Sequence, residues 1–110
     1  MTDTFRAAMR LMRKRDPQGQ EDGFHTLLPV ASDVLPQLVE EYRAEPDPGL
    51  RRWLLELIGE ARSTDALPIL AQELGSEDES IRDWARRGLE KLDTKEARTL
   101  LWQDGQNRND

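Results

Sequence analysis

The sequence predicts an all-α protein built from a repeated pair of helices. Two observations carry this prediction. Apolar residues recur at intervals of three and four, the spacing of one face of an α-helix, and a stretch of sequence beginning at Asp47 returns at Asp78. No stretch shows the sustained alternation of apolar and polar residues that a half-buried strand needs, and aromatic residues make up only 5% of the chain.

The repeat is clearest where the segment 47–53 returns as the segment 78–84. An aspartate, an aliphatic residue, an arginine and a tryptophan occur in the same order and at the same spacing in both segments. Asp16-Pro17 lies before Asp47-Pro48 at the same offset that separates Asp47 from Asp78, so the pattern extends toward the N-terminus. The clearest repeats are therefore 33–61 and 64–92.

Each repeat is interpreted as two helices. The second helix of a repeat carries an apolar stripe along one side, which is typical of a helix buried on that side. In the central repeat the stripe consists of Leu50, Trp53, Leu54, Leu57 and Ile58. In the next repeat it consists of Ile81, Trp84, Ala85, Leu89 and Leu92. Helices are predicted near residues 3–14, 19–28, 33–44, 49–60, 65–74, 78–91 and 94–102.

Polar residues near the predicted helix starts are interpreted as caps. Ser32 is placed to cap the helix that begins near residue 33. Ser76 and Glu79 have the spacing of a capping box, in which each side chain binds a backbone N–H of the other's position. Asp93 and Glu96 repeat this spacing before the last helix.

The chain is predicted to form one domain over residues 1–102, followed by a disordered polar tail at 103–110. Trp102 ends the last predicted helix and is expected to cover the open end of the core. The chain has no cysteine, which excludes disulfides, thiolate metal sites and cysteine nucleophiles.

The charge distribution disfavours nucleic acid as a partner. The net charge is −6, although residues 1–15 carry five basic side chains and only one acidic side chain. The acidic remainder lacks the basic face that binding to a phosphate backbone requires. The N-terminus has no apolar signal segment and no run of residues is long and apolar enough for a membrane span. We therefore expect a cytoplasmic protein that binds neither nucleic acid nor membrane.

One set of residues follows the pattern of a known repeat family. These residues are Ala66-Leu67-Pro68-Ile69-Leu70, Asp78, Ile81-Arg82, Ala85 and Gly88-Leu89. The pattern resembles HEAT repeats, especially the short repeats of phycobilisome-lyase-like proteins. The resemblance implies a short right-handed α-solenoid of about three HEAT-like helix pairs plus a C-terminal capping helix. It also implies that the second helix of each pair lines the concave side.

The candidate binding residues are those opposite the apolar stripe of each second helix. In the first repeat a strict alignment of Asp16 with Asp47 would bury Asp22, and an unpaired buried charge is costly. We therefore expect a slip of one residue, which turns Phe24, Leu27 and Leu28 inward. The candidate protein-binding residues are Asp22, His25, Arg52, Leu55, Glu56, Asp83, Arg86 and Arg87.

The sequence predicts no catalytic, cofactor or metal site. His25 is the only histidine, and the neighbouring Glu21 and Asp22 point to different faces of the helix. Glu40 and Glu41 are adjacent, so their side chains point about 100° apart and cannot easily act on one substrate.

These observations favour a non-catalytic protein–protein interaction module, used as an adaptor, a scaffold or an immunity-type binder. The alternative is an accessory subunit or a lyase-like enzyme component with the same fold, by analogy with lyases that share the repeat. The expected partner is another protein of unspecified identity. We expect a monomer and leave a weak dimer open, because a short solenoid has two open ends.

Overall fold

The computed structural model describes residues 2–108, and over that range the chain forms helices and turns without a strand. The predicted all-α class is confirmed. Short 3-10 segments at Leu28–Val30 and Thr64–Ala66 lead into the third and fifth helices. The described α-helices are α1 (Thr2–Arg13), α2 (Pro17–Leu27), α3 (Leu35–Ala44), α4 (Pro48–Glu60), α5 (Leu67–Glu73), α6 (Glu79–Leu92) and α7 (Lys95–Arg108).

Regularly spaced aspartates start the second helix of each pair. These N-cap residues are Asp16, Asp47 and Asp78. The carboxylate of Asp47, for example, accepts a hydrogen bond from the backbone N–H of Leu50 at 2.8 Å. Each cap satisfies an N–H group that has no partner within its helix, which typically stabilises the helix by about 1 kcal/mol. The recurrence seen in the sequence is therefore a recurrence of helix starts.

The capping boxes predicted from Ser76 and Asp93 are wrong. Asp78 caps α6, and the Ser76 hydroxyl instead accepts a hydrogen bond from the N–H of Asp78 at 3.1 Å. Asp93 ends α6 in the left-handed conformation, with a φ of 49°. Thr94 caps α7 by accepting a hydrogen bond from the N–H of Ala97 at 3.1 Å. At both sites a neighbouring polar residue lies closer to the free N–H groups of the first turn.

The start of α3 also differs from the prediction. Val34 holds the N-cap position, where its side chain accepts no hydrogen bond, and Ser32 lies in the preceding turn. The Val34 side chain is buried, and its carbonyl accepts a hydrogen bond from the N–H of Leu38 at 2.9 Å. An apolar contact therefore anchors this helix start in place of a polar cap.

Consecutive helices pack in pairs around one continuous core. α1 contacts α2, α3 contacts α4 and α5 contacts α6, while α4 also contacts both α2 and α6. The second helices α2, α4 and α6 therefore lie side by side, with α4 in the middle. α7 packs against α6 and α5. Fully buried residues that join the helices into one core include Met12, Leu27, Leu38, Leu54, Leu70, Leu89 and Ala97.

The burial along α2 agrees with the predicted slip, because Phe24 and Leu27 are buried, Leu28 packs against the core, and Asp22, His25 and Thr26 are exposed. Gly19 and Gly23 are also buried, and both lie against α1. A Cβ at Gly23 would stand 2.5 Å from the carbonyl oxygen of Ala8, so only glycine permits this approach. Phe24 is buried as expected and Asp22 stays exposed. α2 therefore buries the predicted apolar residues and also packs its glycines closely against α1.

The C-terminal helix is longer than predicted. α7 extends to residue 108, so the disordered tail predicted for 103–110 is wrong for residues 103–108, and its last two residues lie outside the described part of the chain. The Asp104 carboxylate lies 3.8 Å from Nε of Arg86, which holds the extension against α6. Trp102 is 66% exposed and does not cover the end of the core, because it lies on the outer side of α7.

Candidate protein-binding cleft between α4 and α6

A cleft lies between α4 and α6 on the exposed side of the second helices. Its volume is about 260 Å³, and it is open to solvent. Both of its tryptophans are only half-buried, so aromatic surface is available to a partner. The residues that line the cleft are Gly49, Arg52, Trp53 and Glu56 from α4 and Trp84 from α6.

The indole of Trp53 is held from the side of α2. The Phe24 ring packs edge-on against it, with 4.9 Å between ring centroids and an interplanar angle of 67°. The His25 ring packs in turn on Phe24, with 5.6 Å between centroids. Aromatic pairs in this geometry attract each other beyond the burial of their surface. One flank of Trp53 is therefore fixed by packing, while the indole borders the cleft.

Two guanidinium groups border the cleft. The guanidinium of Arg87 lies 4.7 Å from the centroid of the Trp84 ring, which is a cation–π contact. Arg52 is exposed and, within the described residues, forms no ion pair or hydrogen bond. The mouth of the cleft therefore presents positive charge from both helices.

Glu56 is the acidic group of the cleft. Its side chain is half-buried, and burial raises the pKa of its carboxyl above the ordinary value. The positive charges of Lys91 and Arg87 act in the opposite direction and favour the carboxylate. Lys91 also forms an ion pair with Glu60. The acidic charge of this region is thus largely balanced by cations of the protein itself.

The sequence pattern of the family described as HEAT repeats matches residues 35–108, a range that contains both helices of the cleft. The chain belongs to the HEAT-repeat family. HEAT repeats generally mediate protein–protein interactions. The family resemblance inferred from the sequence is thereby confirmed at the level of HEAT repeats. Comparisons with curated proteins and with solved structures gave no match.

Some of the predicted binding residues meet at this cleft of the HEAT repeats. Arg52 and Glu56 line it, and Arg87 stacks on one of its indole walls. Asp22 and His25 are exposed on α2, as the sequence predicts, but they do not line the cleft. Their contribution to binding stays a prediction.

The predicted exposure of Leu55 is wrong. Its side chain is completely buried, at 0% exposure. Leu55 is the repeat equivalent of Phe24, which packs against the next second helix. α4 has α2 and α6 as lateral neighbours and α3 as its pair, so much more than one stripe of its surface is covered. An apolar stripe derived from the sequence of a single helix predicts one buried face. It does not predict the faces that are covered when neighbouring second helices stack against that helix.

Arg86 and Asp83 belong to the junction of α6 and α7 rather than to the cleft. Arg86 Nη1 donates a hydrogen bond to Asp83 Oδ1 at 2.7 Å, and Arg86 Nε lies 3.8 Å from Asp104. Arg86 Nη2 is buried and has no hydrogen-bond partner among the described residues. Arg86 is the repeat equivalent of Leu55, so it lies on the flank that the next structural unit covers. Here that unit is α7.

Periodicity assigns Trp53 and Trp84 to the apolar core, whereas the structure places them at the walls of the cleft. A signal was available in the sequence. On a helical projection at about 100° per residue, Trp53 lies about 100° from Arg52 and about 60° from Glu56, at the border of the polar face. A bulky aromatic at such a border, present at equivalent positions of two repeats, indicates a surface feature that these two repeats share.

A separate, partly buried polar cluster joins α3, α4 and α5. The Tyr42 hydroxyl donates a hydrogen bond to Glu73 Oε2 at 3.0 Å, and the Arg51 guanidinium lies 4.3 Å from the centroid of the Tyr42 ring. Burial, and then the negative charge of Glu73, raises the pKa of Tyr42 far above its ordinary value. Tyr42 is almost fully buried, whereas Arg51 and Glu73 are half-buried, so the cluster connects neighbouring repeats mainly through Tyr42.

Two further findings concern the described residues as a whole. No group of three or more His, Asp or Glu side chains between residues 2 and 108 is arranged to hold a metal ion. None of the helices in that range combines the length and the apolar character needed to cross a bilayer.

Proposed function

We propose that this HEAT-repeat protein is a non-catalytic module that binds another protein at the cleft between α4 and α6. The observation that carries the proposal is the pair of half-buried indoles, Trp53 and Trp84, at equivalent positions of consecutive repeats. Aromatic and arginine side chains are enriched at the energetic centres of protein interfaces, and Arg52 and Arg87 accompany these indoles.

The proposal includes an architecture. The helix pairs α1–α2, α3–α4 and α5–α6 form a short right-handed solenoid, α7 closes its C-terminal end, and α2, α4 and α6 line its concave side. The side-by-side contacts of the second helices and the long body, which measures 43 × 24 × 20 Å, support this arrangement. The repeats are of the short phycobilisome-lyase type, which the close spacing of Asp16, Asp47 and Asp78 supports.

The proposed role is that of a cytoplasmic adaptor or an immunity-type binder that acts as a monomer. An adaptor needs an accessible recognition surface but no reactive groups, and the cleft supplies the former. Sedimentation equilibrium tests the oligomeric state, for which we expect the mass of one chain. A stable dimer would contradict the monomer. If replacing the exposed Trp102 by serine dissociated that dimer, the contact between the two copies would lie at Trp102.

Affinity capture from the source organism tests the binding site. The variant combines Arg52→Glu with Arg87→Glu, which reverses both charges at the cleft without touching the core. The matched control combines Arg6→Glu with Arg10→Glu, the same charge change on exposed residues of α1. We expect the cleft variant to capture at least tenfold less of the specific partner than the wild type does. The control is expected to capture as much as the wild type.

The same partner bound equally well by both double variants would contradict the cleft as the binding site. Thermal unfolding followed by circular dichroism accompanies the experiment, since all four arginines are exposed and their replacement is expected to leave the fold intact.

A further inference from the structure

We infer that the cleft recognises a peptide segment in which one large apolar side chain stands next to carboxylates. The inference rests on the proposed function and specifies the chemistry of the partner. It combines two properties of the cleft, its size with aromatic walls and the charge left at its mouth after the protein's own ion pairs are formed.

The cleft is sized for a single side chain. Its volume of about 260 Å³ falls below the roughly 300–1,000 Å³ of typical small-molecule sites. Its walls are the indoles of Trp53 and Trp84, both partly accessible. An inserted phenylalanine or leucine side chain removes its own apolar surface and that of two indoles from water, which is the main favourable term of such an anchor.

The residual charge at the mouth is positive. Lys91 is paired with Glu60, and the carboxylate of Glu56 interacts with Arg87 and Lys91. Arg52 has no acidic partner in the described residues. Among the described residues, Arg87 forms no ion pair within 4 Å, and its guanidinium contacts the Trp84 ring.

Guanidinium groups bind carboxylates through two parallel hydrogen bonds, which combine charge attraction with a defined geometry. Arg52 on α4 and Arg87 on α6 lie on different helices that border the same cleft. A carboxylate on one or both sides of the apolar anchor therefore finds a guanidinium partner. A basic segment meets two exposed cations instead, which selects against it.

The test uses a short synthetic peptide with the sequence Gly-Asp-Phe-Asp-Gly, blocked at both ends. One comparison peptide replaces both aspartates by lysine and another replaces phenylalanine by alanine. The protein carries Trp102→Phe, so that its tryptophan emission comes only from the two residues of the cleft. Titration at low salt follows the change in this emission. We expect the acidic phenylalanine peptide to bind at least tenfold more tightly than either comparison peptide.

Two variants in the Trp102→Phe background localise the effect. Arg52→Glu is expected to lower the affinity for the acidic peptide at least tenfold. It is also expected to reduce the preference of the protein for the acidic peptide over the lysine peptide. Arg6→Glu, which makes the same charge change on α1, is expected to leave the affinity within twofold. Binding of the acidic peptide should also weaken as salt rises, because the contacts are between exposed charges.

Three results would overturn the inference: equal or tighter binding of the lysine peptide, no binding of any peptide, or an unchanged affinity in Arg52→Glu. Failure of the proposed function can be distinguished from failure of this inference. If the affinity-captured partner is lost in the cleft double variant while the acidic peptide does not bind, the cleft is an interface for a partner of different chemistry. If the peptide binds but the partner survives the double variant, the cleft chemistry is right and the partner uses another surface.

Discussion

Gly59 of α4 and Gly88 of α6 bring their helices into backbone contact. A Cβ atom on Gly59 would stand 3.0 Å from the Cα of Gly88, and one on Gly88 would stand 2.8 Å from Cδ2 of Leu70. This contact sets the distance between two second helices and therefore the distance between the walls of the cleft.

Replacing Gly88 by alanine is expected to lower the free energy of unfolding by about 1–3 kcal/mol, because the added methyl group overpacks the contact. Urea unfolding measures the change. Gly105→Ala is the matched control, since Gly105 lies in α7 with no neighbouring atom within 4 Å of an added Cβ. There alanine only raises helix propensity, by up to about 1 kcal/mol. Equal effects of both changes would contradict the packing argument.

Arg62→Gly is expected to stabilise the protein by about 1 kcal/mol. Arg62 follows α4 with a φ of 49°, a conformation that costs side-chain-bearing residues about 1–2 kcal/mol and costs glycine little. Thermal and urea unfolding measure the gain. Arg10→Gly, inside α1 and exposed, is the control and is expected to destabilise by about 1 kcal/mol through loss of helix propensity. Loss of stability in Arg62→Gly would show that another contact of Arg62 outweighs its backbone strain.

Tyr42→Phe is expected to destabilise the protein by about 1 kcal/mol near neutral pH, because it removes the hydrogen bond to Glu73. The difference should shrink above pH ~10. There the unfolded tyrosine releases its proton while the folded one, with its raised pKa, retains it, so the wild type loses stability as pH rises.

The measurement compares unfolding free energies of the two proteins at about pH 8 and about pH 11. Tyr42 is the only tyrosine, so other titrating groups are common to both proteins and cancel in the comparison. A difference that grows above pH ~10 would show that the folded state favours the ionised phenol, contrary to the burial argument.

Glu56→Gln is expected to change the pH dependence of stability in the acid range. The unfolded carboxyl ionises near its ordinary pKa of 4.5, whereas burial keeps the folded one protonated to higher pH. The folded state then binds more protons, so the wild type loses stability as pH rises through this range. The stability of the variant should therefore rise relative to that of the wild type as the pH increases above about 4.5, by less than about 1 kcal/mol because the group is half exposed.

Urea unfolding across this pH range checks the prediction, with Glu96→Gln on exposed α7 surface as the control for loss of one negative charge. A relative loss of stability in Glu56→Gln toward neutral pH would show that the attraction to Lys91 and Arg87 outweighs the cost of burial.

Helix content and helix starts follow from local sequence. A capping aspartate satisfies N–H groups three residues away at most, and an apolar spacing of three and four reflects one turn of helix. Asp16, Asp47 and Asp78 could therefore be aligned without knowledge of the fold, and all three start helices. The wrong predictions at Ser76 and Asp93 are also local, because they concern only which of two nearby polar residues caps the helix.

Burial at the edges of a helix does not follow from local sequence. Trp53 and Leu55 lie about 200° apart around α4, on its two flanks. Periodicity assigns the tryptophan to the core and the leucine to the surface, whereas the leucine is buried and the tryptophan borders the cleft. Which flank a neighbour covers depends on how consecutive repeats stack, and this is a property of helices distant in sequence.

By itself, then, the sequence determined the all-helical class, the repeating unit and the HEAT-repeat family, because these depend on contacts within one or two turns. Only the tertiary structure decided that Arg52, Glu56 and Trp84 share a cleft and that Arg86 turns to α7. The physical reason is the close lateral approach of the second helices. It covers part of each polar face and leaves open the space between the two tryptophans.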